Sequence, residues 1–313
     1  MRVIKPFVDQ KKASIRKLLR IVGLSKSSYY YESTSGKRGT PASTVTIKSD
    51  GTHVSNADVV ALIQTLLMEE FVDYGYHKVT RHLRREGFVI NPKKVYRLMK
   101  EKKLLHPKRI KPTGSRTFVC IRKVKPKYPF DVLEMDIKYM HVQGEGKTLF
   151  LLTLLDVFSR RTLGHLLKRS IRQQDVVSFL KPLLDSAIGY DSQITIRTDN
   201  GSQFIAHSVR DFIAACGVKQ EFTHVATPEE NGHIEAFHSI LERELVRKQE
   251  FASTEELVST LERYYEFYNT RRIHGRIGYQ TPDEVFTGYF LKHSASNFLV
   301  RDNLIRLIRA SGG

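Results

Sequence analysis

Apolar residues recur along this chain in two rhythms, and the change from one to the other falls near residue 130. Before it the spacing is helical. Val59, Ile63, Leu66 and Leu67 predict a helix over about Asp58 to Phe71, and Tyr74-Gly75-Tyr76 breaks it. Val79 and Leu83 mark a second helix that stops near Gly87. A third starts with Asn91 as cap and Pro92 at the first position, and buries Val95, Leu98 and Met99. A shorter pair of helices fits 12–31, with Ile15, Leu18 and Leu19 on one face and Gly23 as a stop. After residue 130 runs of alternating or continuous apolar residues predict strands at 132–142, 148–157, 160–168, 193–198 and 218–223. The first three, joined by short turns, form an antiparallel meander. The later strands alternate with helices at about 172–187 and 203–216, which requires crossovers. The expected fold class is therefore α/β, a mixed five-stranded sheet with flanking helices, preceded by all-α helix-turn-helix units and closed by helices at about 254–272 and 282–291.

Charge divides the chain at the same place. Residues 1–130 carry 29 Lys+Arg against 9 Asp+Glu, a net of +20, and residues 131–313 carry 22 against 24, a net of −2. A positive surface kept for solubility explains the size of this charge but not its segregation, which points to a polyanion-binding half. The third helix carries Lys93, Lys94, Arg97 and Lys100 around its apolar stripe, as a helix entering a DNA major groove would. Ser, Thr and Gly supply 12 of the 23 residues from Glu32 to Val54, the composition of a flexible linker. The proline-punctuated arm at 106–129 includes Lys123 and Lys125, expected to follow phosphates. The expected division is 1–31, 32–55, 56–105, 106–129, 130–291 and a tail at 292–313. No apolar run approaches membrane-span length, and Cys120 and Cys216 stand alone, so a reducing cytoplasmic setting without membrane attachment is expected.

Three acids stand out against this background. Asp136 lies within the apolar first strand, where an unpaired carboxylate is costly. Glu134, two residues earlier on the same face, is its rival. Asp199 ends a strand at Asp199-Asn200-Gly201, a turn former that also sits where open α/β sheets place ligands. Glu235 lies on a helix expected to be capped by Thr227, Pro228 and Glu230, with 35 residues between it and Asp199. A helical Glu alone would simply face solvent. Together the three are hard oxygen donors suited to Mg²⁺ or Mn²⁺. His224, His233 and His238 lack both a Cys partner and the i,i+4 spacing of a zinc helix, and His238, one turn from Glu235, is expected near DNA or the attacking hydroxyl.

With Met135-Asp136-Ile137, Thr198 to Phe204, Glu230 to Phe237 and the tail from Tyr268 to Pro282, the chain resembles the OrfB-type transposases of the IS-three insertion sequences. Their catalytic core is similar to retroviral integrases, and Tyr74 to Val79 with Asn91 to Met99 looks like their helix-turn-helix. The resemblance implies an RNase H-like catalytic domain holding two Mg²⁺ ions, with Mn²⁺ as a substitute, on Asp136, Asp199 and Glu235. It implies cleavage at element ends by water, then attack of the freed 3′-hydroxyl on another phosphodiester. Arg243, Arg271 and Arg272 join the expected DNA contacts. The implied partners are double-stranded DNA, further copies of the chain and a protein from an upstream reading frame, in a bacterial, nucleoid-associated setting. There are departures: Glu242 stands where relatives often carry Lys or Arg, the integrase-type zinc domain is absent, and no sustained heptads are present. The competing expectations are a non-catalytic DNA-binding regulator on the same scaffold and, less favoured, a nuclease of RNA–DNA hybrids.

Overall fold

The computed structural model describes residues 10, 14–31, 42–107, 125–187, 193–223 and 231–293. The chain divides into two compact units, 1–44 and 45–313. In the first, α1 (Ile15–Ile21) buries Leu19 and yields to Gly23 in the left-handed conformation, and α2 (Lys26–Tyr29) starts where the Ser25 hydroxyl accepts from the Ser28 N–H.

The second unit opens with a correction to the expected linker. Residues 45–48 and 53–55 form strands β1 (Val45–Lys48) and β2 (His53–Ser55), and both belong to a three-stranded antiparallel sheet in the order β2-β1-β3, with β3 at Phe88–Val89. The Ser/Thr count that suggested a linker hides a hairpin. Thr favours strands as well as linkers, and Asp50-Gly51, with Gly51 at φ +85°, is a turn signal. The sheet leads into α3 (Asn56–Met68), α4 (Tyr76–Arg85) and α5 (Pro92–Glu101). Ser55 and Asp58 cap α3 reciprocally, and Asn91 caps α5 by accepting from Lys93 N–H.

Strands β4 (Val132–Val142), β5 (Lys147–Asp156) and β6 (Thr162–Lys168) form the antiparallel meander. After α6 (Gln173–Ala187), strand β7 (Thr195–Thr198) pairs in parallel with β4. Then come α7 (Ser202–Ile205), α8 (His207–Ala215) and β8 (Lys219–Phe222), which pairs in parallel with β7. The order β6-β5-β4-β7-β8 is the RNase H-like arrangement, with the chain's crossover at β4. Alternation sends β4 side chains to two cores. Leu133 and Met135 pack with Val176, Leu180 and Val209 under α6 and α8, joined by Phe286 of α11 (Pro282–His293). Met140 and Val142 pack under α9 (Gly232–Leu241) and α10 (Thr254–Thr270).

That second core does not stop at the sheet. It is continuous with Val59, Ile63, Leu83, Val95 and Met99 of the helix-turn-helix unit. Phe71 packs edge-on against Tyr264, with ring centroids 5.2 Å apart, and the Tyr74 hydroxyl accepts from Ile273 N–H at 3.1 Å. Arg85 forks onto both Glu284 oxygens. Among the described residues no helix is long and apolar enough to cross a membrane.

Candidate active site

Two lattices with nearly equal repeats meet where α9 lies along β4. Every second strand residue advances roughly 6.6 Å on one face, and every fourth helix residue about 6 Å. Three couples result. The Glu134 carboxylate meets the start of α9, Asp136 meets His238 with 3.3 Å between Oδ2 and Nδ1, and Lys138 meets Glu242 with 2.9 Å between Nζ and Oε2.

The first couple decides between Glu134 and Asp136. Glu134 is fully buried and accepts from the backbone N–H groups of His233 (3.0 Å) and Ile234 (2.8 Å), while His233 Nδ1 lies 2.8 Å from its other oxygen. It satisfies orphan donors at the positive end of the helix, so it is spoken for as the clamp of α9. Asn231, at the N-cap, offers no side-chain cap, and the expected cap residues Thr227, Pro228 and Glu230 lie outside the described residues, as does His224. Nothing local to α9 reveals this clamp, because the carboxylate comes from a strand about a hundred residues away.

Asp136 turns one oxygen to its neighbour's N–H (Ile137, 2.8 Å) and leaves the other toward His238. Asp199 follows β7. The parallel register Glu134↔Arg197, carried on by two residues, sets it beside Asp136. Burial pushes the Asp199 carboxyl above the usual range, the Gly201 N–H pulls it back at 3.0 Å, and the Asp136 charge adds to the rise. A Cβ at Gly201 would fall 3.0 Å from Asp199 Oδ1 and 2.3 Å from Gln203 Nε2, so a larger residue there would displace the Gln203 side chain and crowd the Asp199 carboxylate. The Asn200 amide donates to Thr223 O, tying the turn to the end of β8. Glu235 is exposed on α9, one turn before His238. The structure thus brings Asp136 and Asp199 together and holds Glu235 on the adjoining helix, but among the described residues no three such side chains close into a metal cage. Two neighbouring carboxylates, one of them raised by burial and by the charge of the other, are still the donor type a hard divalent cation neutralises.

The expected DNA contacts fare unevenly. Lys93 and Lys100 are exposed on α5, and Lys125 is exposed on the arm; Lys123 lies outside the described residues. Lys94 is turned back to the Val45 carbonyl of the hairpin, at 2.6 Å, and Arg97 reaches Glu101. Arg243 is shared between Asp73 and Glu244, and Arg271 pairs with Glu69. Arg272 has to be withdrawn as a DNA contact. It is 3% exposed and bidentate to the buried Glu244, with 2.7 Å for both hydrogen bonds. The Arg-Arg dipeptide reads as a basic patch in sequence, but its second member is core.

Family models match three stretches of the chain. Integrase core domain models match 126–228 and 216–282, and a helix-turn-helix-like domain model matches 55–111. The putative transposase InsK of insertion sequence IS150, from Escherichia coli K12, is 26% identical over 85% of this chain and 91% of its own length. The IS904 transposase of Lactococcus lactis is 27% identical over 71% and 90%. The HTLV-2 integrase catalytic core domain in complex with magnesium aligns at 16% identity over 52% of this chain and 99% of that one, with a TM-score of 0.39. The fold assignment rests on the strand order itself. An integrase core behind a helix-turn-helix-like unit, with insertion-sequence transposases as its relatives, makes this chain an enzyme of the DDE transposase and integrase class that resembles the OrfB-type transposases of IS-three elements.

Proposed function

We propose that the chain cuts DNA at the ends of an insertion sequence and joins the freed 3′-hydroxyl to a second phosphodiester, using Mg²⁺ or Mn²⁺ held by Asp136, Asp199 and Glu235. The observation that carries the proposal is the Asp136–Asp199 pair, Asp136 within β4 and Asp199 just past the end of the parallel β7, where the Asp136 charge bears on Asp199. When bound, such cations activate the attacking oxygen and stabilise the leaving one. The chain's own part is placement. Glu134 fixes the start of α9 and so the direction from which Glu235 approaches, and the Gly201 N–H orients Asp199. Exposed Lys93 and Lys100 on α5 are suited to the duplex, and several copies would assemble on two ends.

Asp199→Asn is expected to abolish Mg²⁺-dependent nicking and joining of duplexes carrying the element's ends while leaving their binding intact. Undiminished nicking by that variant would overturn the site. That no three such side chains among the described residues close into a metal cage favours one other reading, a DNA-binding regulator without chemistry. End-specific binding by the native chain with no nicking in either Mg²⁺ or Mn²⁺ would establish that reading instead.

A further inference from the structure

The segment after α9 carries charges that the reaction does not use. Residues Glu242–Val246 wind as a π turn, a form that often marks functional sites. It turns Glu244 inward to Arg272, and its neighbours Arg243 and Arg247 are 37% and 68% exposed at the side chain. From there a series of contacts runs both ways. Toward the aspartates, Arg247 Nε lies 3.3 Å from Glu242, whose other oxygen holds Lys138, two residues along β4 from Asp136. Toward the helix-turn-helix unit, Arg243 and Lys248 meet Asp73 at 2.8 and 3.8 Å, and His106, beyond the end of α5, meets it at 3.7 Å. Four permanent cations are thus strung along Glu242 and Asp73, with Arg243 also reaching the buried Glu244 that Arg272 holds, from the catalytic strand to the exit of the recognition helix.

We infer that this seam binds the phosphate backbone of duplex DNA between α5 and the aspartate pair of the same chain. The inference rests on the transposase reading for its ligand. Its geometry is independent of the metal site. Arg247 and Lys248 are 68% and 46% exposed at the side chain, so their pairs with the half-buried Glu242 and Asp73 are solvent-screened at the cation end, and these acids hold the two cations in position to be released to phosphates. The charges match. Once a phosphate takes Lys138 or Arg247, the excess of cations over acids is what a polyanion meets. Glu242 is then a competitor for Lys138 and not a defect in the site.

The test uses the full chain and a mixed-sequence duplex, with binding followed against salt. Arg247→Ala with Lys248→Ala should reduce the salt slope by nearly two, at about 0.9 per cation lost, and weaken binding roughly tenfold or more at moderate salt. Glu242→Gln should act oppositely and tighten binding, a result that mere structural support of α9 would not produce. Unchanged slope and affinity in the double variant, or no tightening in Glu242→Gln, would overturn the seam. These outcomes are separable from failure of the transposase reading, which would appear as a native protein that binds DNA without metal-stimulated nicking.

Discussion

A carboxylate enclosed by protein persists where its oxygens are satisfied, and Glu134 has three donors around it. Glu134→Gln keeps the shape but replaces one accepting oxygen with a donor facing donors. The expected loss is about 1.5–3 kcal/mol by urea denaturation, with metal-dependent nicking falling further than DNA binding does. Lys78 is the reverse case. Its ammonium is buried without a hydrogen-bond partner, 4.7 Å above the Tyr74 ring. Burial, and next the Arg272 charge, bring its pKa down to about 7. The unfolded chain keeps that proton until roughly pH 10, so between these values the unfolded state binds more protons. Stability should therefore climb as pH rises from about 7 toward 10. Lys78→Met should flatten that climb and stabilise the protein most at pH 6, which denaturant midpoints at pH 6, 7.5 and 9 would show. Neither role is readable from residue type. Glu134 and Asp136 share a face in any strand pattern, and what distinguishes them is a helix terminus that arrives from far along the chain.

At the scale of elements the sequence was most legible where hydrophobic period and turn chemistry agree. The strands of the meander and the Asn91-Pro92 start of α5 stand where alternation and capping put them. The hairpin at 45–55 leaves little trace in the sequence because its strands are three or four residues long and include Thr and Ser. The junction of β4 and β5 offers a direct test. Gly144 donates to Phe251 O at 3.1 Å, and a Cβ there would fall 2.1 Å from the Ala252 carbonyl oxygen, which is backbone and cannot step aside. Gly144→Ala should thus cost about 1–3 kcal/mol or more, read as a lowered melting temperature, whereas Gly146→Ala meets no neighbouring atom. It carries only the strain of its left-handed backbone, at φ +59°.

Across the second unit, the DNA-binding helices and the catalytic sheet form one body. The charge split and the change of period near residue 130 suggest two modules, and the family models divide the chain similarly. Periodicity reports which face of a helix is apolar but not what covers it, so the shared core was out of reach. Arg272 and Glu244 stand at its centre, flanked by Tyr264 and His274. Arg272→Ala takes from the buried Glu244 its bidentate partner, leaving only the shared Arg243 and the Tyr264 hydroxyl, and is expected to cost about 3 kcal/mol. Residues 45–293 should unfold in one transition, with hydrogen exchange in α4 and α10 lost together. Separate transitions for the helices and the sheet would contradict a common core.

That common core also constrains inheritance. A recombination event that exchanged the helix-turn-helix unit for a relative's, while keeping the sheet, would have to match Phe71 to Tyr264, Tyr74 to Ile273 and Arg85 to Glu284 at once. Viable crossovers should therefore be rare between Val45 and the end of α11. New binding specificity is then expected to arise by substitution on the exposed side of α5, with the body behind it passed on whole.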